Sequence, residues 1–146
     1  MTGYATDNFA LIKVKDHSAA GTSPITSLSV DMETAGVVAG GPWDGVVFFT
    51  SLSVANAGNY MTMGHSDADS AYAPTVAVVN SGTSDEDLIL DVQHPAKRWV
   101  NVIVTVGTSS TVESIWALLY RGRTAPVTST LSGTAIEKQF NAPATA

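Results

Sequence analysis

The chain contains no cysteine, which excludes a disulfide scaffold, thiol catalysis and a thiolate zinc site. Charge is also scarce. Only 14% of the 146 residues are charged, against about 25% in an ordinary globular protein. Basic residues are the rarer kind, seven against thirteen acidic, for a net charge of −6. That balance excludes a general nucleic-acid binder, which needs a basic footprint. No apolar run approaches the ~18 residues of a membrane helix. Residues 1–9 hold neither the basic region nor the apolar stretch of a secretory signal, and no Asn-x-Ser/Thr sequon occurs. These absences point to synthesis in a cytosol, with export, if any, inside an assembly.

What the chain has in quantity is β-branched and small polar residues: 17 valines, 17 threonines and 15 serines. Stiff β-branched side chains suit a pleated surface. Residues 26–33 alternate most clearly, with Leu28, Val30 and Met32 on one face and Ser27, Ser29, Asp31 and Glu33 on the other. A period of two predicts a half-buried strand. Further strands are expected at 9–14, 45–53, 59–65, 75–80, 87–92, 99–106 and 112–121, separated by turn residues such as Ala55-Asn56-Ala57-Gly58 and Gly107-Thr108-Ser109-Ser110. The run at 45–53 is apolar on both faces at its start, which predicts a central strand. The pattern holds no convincing helix. About eight antiparallel strands at regular spacing give an all-β fold, a jelly-roll-like antiparallel β-sandwich.

The character changes near residue 121. We expect a flexible N-terminal segment at 1–8, a β-sandwich domain at 9–123 and an extended C-terminal arm at 124–146. The arm is rich in Thr, Ser, Pro and Ala. Its apolar residues, Val127, Leu131, Ile136 and Phe140, are spaced too widely for one strand, and Pro126 and Pro143 cannot donate a ladder hydrogen bond. It is therefore expected to lie outside the core. Residues 1–120 hold four basic and twelve acidic side chains, whereas Arg121, Arg123 and Lys138 face only Glu137 beyond them. A weakly basic arm on an acidic body suggests that the arm lies on an acidic surface, its own or a neighbour's. A loose, uninvolved tail is the bland alternative.

Catalytic signals are sparse. His17, His65 and His94 stand in different segments without metal-ligand spacing, and there is no Gly-x-Ser-x-Gly elbow. Asp67 and Asp69 could supply oxygen ligands to calcium, but the glycine and distal glutamate of a calcium loop are missing, and a solvated acidic loop explains them as well. The same reading fits Asp85-Glu86-Asp87. The glycine-rich 40–45 stretch precedes a strand, not the helix N-terminus that would hold a phosphate. No cofactor, metal or enzymatic activity is expected. On the last strand, Ile115, Ala117 and Leu119 form one apolar face and Trp116, Leu118 and Tyr120 another. A strand apolar on both faces is covered on both. One cover is the domain's own second sheet. The other is a neighbouring subunit or the arm folded back, with an aromatic sugar platform as the rival reading.

The order of short segments along the chain resembles a known family. It runs Ser27-Leu28-Ser29-Val30-Asp31-Met32, Asp44-Gly45-Val46-Val47-Phe48-Phe49, Ser66-Asp67-Ala68-Asp69-Ser70, Leu88-Ile89-Leu90-Asp91-Val92, His94-Pro95-Ala96-Lys97-Arg98-Trp99-Val100, Ala117-Leu118-Leu119-Tyr120-Arg121, then Pro126-Val127-Thr128 and a Glu137…Pro143 tail. This series, from about Phe9 onward, is similar to the small head decoration (cement) proteins of tailed bacteriophages. Members are more arginine-rich around 95–99 and more basic before Pro126. Here Ala96, Asn101 and Thr124-Ala125 stand instead, so the capsid contacts are expected to differ. The resemblance implies a homotrimer on the outer surface of the major capsid protein, located on the virion, with no nucleic-acid or membrane partner. Trp116, Leu118, Tyr120, Arg121, Arg123 and Phe140 are the expected capsid or subunit interface. The arm's arginines meet an acidic lattice, and Phe140, alone in a polar tail, anchors in a pocket. Two alternatives stay open: a glycan-binding module using Trp43, Trp99 or Trp116, with calcium at Asp67 and Asp69, and a minor tail or head-completion protein.

Overall fold

A computed structural model describes residues 9–33, 43–79, 86–120 and 135–141, the backbone alone for 74–79 and 135–141. The expected segment at 1–8 and most of the arm lie outside the described residues. The described chain is all β: β1 (Phe9–Lys15), β2 (Ser18–Gly21), β3 (Ile25–Thr26), β4 (Val30–Asp31), β5 (Gly45–Ser51), β6 (Tyr60–Ser66), β7 (Ala73–Val79), β8 (Asp87–Gln93), β9 (Trp99–Thr105), β10 (Ser110–Val112), β11 (Ile115–Tyr120) and β12 (Ala135–Asn141).

The first sheet has the order β1-β11-β5-β8-β12 and the second β3-β9-β6-β7, with β4 also on β9; β2 and β10 form a short ribbon. Every pairing is antiparallel except that of β12 with β8, which is parallel. Strand β5 is central in its sheet, as its two-faced apolarity predicts. The inner faces follow the period of two. Leu88, Leu90 and Val92 on β8 and Ile115, Ala117 and Leu119 on β11 are buried, and so are Val100, Val102 and Val104 on β9. With Phe48, Met61 and Met63 they belong to one continuous core. Burying such side chains is the main driving force, each contributing ~1.5–3 kcal/mol.

Two expectations are corrected. The 26–33 strand is broken. Thr26 pairs with Ile103, but Val30 pairs with Val100, so three residues on one side oppose two on the other. This extra residue is a bulge that reverses the alternation between Ser27 and Val30: Ser27 points inward and Leu28 outward before it, whereas Val30 and Met32 after it are buried as expected. Ser27 is buried, and its hydroxyl accepts the Val102 N–H at 3.0 Å while the Ser27 N–H donates to Val102 O at 2.9 Å. Leu28, expected inside, is 69% exposed, and its N–H donates to Val14 O on β1 at 2.8 Å. Asp31, expected outside, is buried. The second correction concerns the arm. Residues 135–141 are a strand of the first sheet, with Ala135 opposite Asp87 and Phe140 opposite Val92. Phe140 therefore lies within a paired strand and not in a free tail; the partner strand supplies a pairing that wide apolar spacing does not reveal.

Candidate contact surface

The outer face of the first sheet carries the aromatic and aliphatic side chains left over from the core. Its rows follow from the register. Phe9, Tyr120, Gly45 and Gln93 make the first row, Leu11, Leu118, Val47 and Asp91 the second, and Lys13, Trp116, Phe49 and Ile89 the third. Trp116, Leu118, Tyr120, Val47, Phe49 and Ile89 are half-buried, and Leu11 is 51% exposed. A neighbouring strand flanks each side chain, and among the described residues no further layer closes over it. The result is an apolar face running across β1, β11, β5 and β8. Contiguous exposed apolar surface of this kind marks an interaction site. At the third-row end lies a groove of about 430 Å³ lined by Phe49, Ser51, Asp87, Ile89, Glu113 and Trp116.

Polar groups on the face are fixed internally. The Tyr120 hydroxyl donates to Asp91 Oδ1 at 2.7 Å. Burial, and then that carboxylate, push the phenol's pKa well upward, so it stays protonated. Its ring lies against Gly45, where any Cβ would strike it. Ser51 donates to Asp87, and His17 Nδ1 lies 3.3 Å from Glu113 Oε2.

The second sheet presents different chemistry. Arg98 grips the buried Asp31 with two donors, Nε at 2.9 Å and Nη2 at 2.8 Å, and its guanidinium lies 5.5 Å from the centre of the Trp99 ring. Bidentate geometry makes such pairs strong, and stacking on the indole adds to it. Lys97 Nζ donates to Asp67 at 2.6 Å. Asp69 accepts from Ser29 at 2.5 Å and from the Tyr72 hydroxyl. The Ser29 bond, then the Tyr72 bond, hold the Asp69 carboxyl below its usual range. Burial, and then Asp69, push Tyr72 up to about 12. The two carboxylates weighed as calcium ligands thus serve to tie their own loop down. Among the described residues, no group of three or more His, Cys, Asp or Glu is arranged to hold a metal ion.

Of the six expected contact residues, Trp116, Leu118 and Tyr120 come together on the first sheet's outer face. Phe140 is placed by backbone register on β12. Arg121 and Arg123 lie outside the described residues. Sequence reasoning misses Leu11, Val47, Phe49 and Ile89 as parts of the same surface. The signal was present in the 45–49 run, whose apolarity on both faces implies an outer set, Val47 and Phe49, as well as the inner one. The three tryptophans do not form a common platform. Trp43 is buried in the core, Trp99 lies on β9 under Arg98, and Trp116 is on the other sheet. No protein-family model and no curated protein matches the chain.

Proposed function

We propose that this chain is a structural virion protein, a capsid decoration (cement) protein that binds the outer surface of the major capsid protein as a homotrimer and stabilises the phage head. The observation that carries the reading is the apolar outer face of the first sheet, a surface built for contact in a chain whose described residues assemble no metal cluster. The ordered series of segments that resembles the decoration family supports it. So does the strand order: β1-β11-β5-β8 against β3/β4-β9-β6-β7 is the alternation between sheets expected of a jelly roll. Of the tryptophans named for the glycan-binding alternative, Trp43 is buried in the core and so not available to a sugar.

A shell under pressure from packaged DNA fails where subunits separate. A trimer seated across neighbouring capsid subunits makes expansion break several interfaces at once. Many copies make the effect large even when each contact is modest. The outer sheet face and the arm supply the contact surface, Trp116, Leu118 and Tyr120 from the sheet, Arg121, Arg123 and Phe140 from the arm. The test is co-sedimentation with phage heads stripped of the protein. The full chain should bind and protect heads from heat. Deleting residues 124–146, or the milder Arg121→Glu/Arg123→Glu change in a chain that still melts normally, should weaken occupancy. Unchanged occupancy would refute the arm's role, and a full chain that never binds heads would refute decoration.

A further inference from the structure

One end of the first sheet gathers aromatic and acidic side chains into a groove. On the outer face β11 presents Trp116, β5 presents Phe49 and β8 presents Ile89, opposite one another by register. Two residues further along, Ser51 of β5 stands opposite Asp87 of β8, and its hydroxyl donates to the Asp87 carboxylate. Glu113, just ahead of β11, is tied to the same end of β5. Its N–H donates to Ser51 O at 2.8 Å, and its carbonyl accepts from the Thr50 hydroxyl at 2.9 Å. The two carboxylates therefore flank Ser51, and the apolar row makes a floor beside them. The groove holds about 430 Å³ and is open along one side. The Glu113 side chain is 57% exposed, so this acid can be reached from outside.

We propose that this groove binds an arginine side chain presented by a partner protein. Charge selects a cation. Among the described residues, the groove is lined by two carboxylates and by no basic side chain. A bond from the neutral Ser51 hydroxyl leaves the Asp87 carboxylate charged. Lys13 stands beside Trp116 in the same row, but its ammonium is engaged 2.6 Å from Asp16.

The lining selects a guanidinium over an ammonium. A guanidinium is flat and weakly hydrated, stacks on aromatic faces, and meets a carboxylate with two parallel bonds. Its alkyl stem takes apolar contact, here from Trp116, Phe49 and Ile89. The chain already makes this combination once within itself, where Arg98 forks onto Asp31 and lies over the Trp99 ring. The groove offers the same carboxylate and indole chemistry without a described arginine, and its open side admits a side chain carried on another surface. Apolar surface gives affinity without direction, and one cationic anchor at its end fixes how a partner is turned. The assignment does not rest on the decoration reading, since the arginine's carrier need not be a capsid.

NMR titration of the full chain with blocked amino acids tests it. N-acetyl-arginine methylamide should shift the Trp116 indole N–H, identified by its loss in Trp116→Phe, and the Phe49, Ser51 and Glu113 amides, all along one saturable curve. The indoles of Trp43 and Trp99 should stay in place. The lysine analogue should bind at least threefold more weakly, and the neutral norleucine analogue should not saturate. Glu113→Gln and Asp87→Asn should each weaken arginine binding at least threefold, whereas Glu33→Gln, beside Arg98 on the other sheet, should change nothing. Glu113→Gln keeps the test alive if Asp87→Asn folds poorly. A blocked Gly-Gly-Arg-Gly-Gly peptide should bind at least as tightly as the single residue; tenfold weaker binding would overturn the partner in favour of a free small cation. No shift in the groove at about 50 mM arginine analogue, or equal binding of norleucine, would overturn the site. No phage head enters this experiment, so its failure leaves head attachment standing, and a chain that binds no heads leaves the groove standing.

Discussion

Replacing Gly45 by alanine tests the packing of the contact face through a single methyl group. Gly45 is buried on β5 directly opposite Tyr120, and the Tyr120 ring lies across it to reach Asp91 on β8. An alanine Cβ would overlap the ring, so the ring must swing away and release Asp91. A hydrogen bond to a charged group is worth about 1.5–3 kcal/mol, and uncovering part of the ring costs about 1 kcal/mol more. Alanine's better strand conformational entropy offsets ~0.5 kcal/mol. The expected net loss is about 2–3.5 kcal/mol. In a chain of this size that is a fall in melting temperature of roughly 8 °C. Urea unfolding with an unchanged slope measures it. Tyr120→Phe should lose only the hydrogen-bond share. On a Tyr120→Ala background the obstacle is gone, and Gly45→Ala should become neutral or slightly stabilising. If the alanine costs as much in that background as in the wild type, the ring is not what excludes a side chain at position 45.

Two further outcomes follow from the other sheet. Arg98→Ala removes both guanidinium donors from the buried Asp31 carboxylate, which also accepts the Glu33 N–H at 3.0 Å. It should lower the melting temperature more than Arg98→Lys does, and adding Asp31→Asn should recover part of the loss. Equal melting of Arg98→Ala and the wild type would show that the pair contributes nothing. His65 is buried on β6, and among the described residues its Nδ1 has no hydrogen-bond partner. Burial first, and then Lys97, depress its pKa below the ordinary 6.5. Between the folded value and 6.5 the unfolded chain binds the extra proton, so stability rises with pH across that window and is lost as pH falls below about 6.5. Urea unfolding at pH 7.5 and 5.5 should show a smaller loss for His65→Gln than for the wild type; identical losses would remove His65 as the cause.

Strands were legible in the sequence where alternation was strong and partners were alike. The four inward valines of 99–106 and the Leu88, Leu90, Val92 set read directly as buried edges, and both are buried. The break at 27–29 was not legible, because a bulge is a mismatch between two strands and leaves no mark on either alone. Its local sign is Ser27, whose hydroxyl stands in for a ladder acceptor, but a serine in an alternating run looks like an outward residue. The β2–β10 ribbon escaped for lack of large side chains, since Ser18–Gly21 is held by pairing and not by burial. Strand β12 escaped because a parallel pairing with β8 fixes it from outside its own sequence. On the contact face, the residues of β11 were found and those of β1, β5 and β8 were not. A single strand shows that it has a second apolar face, but only the sheet order shows which other strands share it.

The two sheets divide the work of the surface. On the second sheet, charged and hydroxyl side chains are bound to one another: Arg98 to Asp31, Lys97 to Asp67, and Ser29 and Tyr72 to Asp69. Such groups hold loops in place and are already satisfied, so a partner docking there would have to compete with existing bonds. On the first sheet, the side chains that remain half-exposed are mainly apolar, and they lose nothing when another layer covers them. Directional bonds spent within the molecule and undirected apolar surface left for contact make the first sheet the adhesive one. In the proposed reading, that division is how an acidic chain with little charge to spare holds a partner. Attachment then rests on burial of Trp116, Leu118, Phe49 and Ile89 against the partner, since these half-exposed side chains give up no existing bond when they are covered.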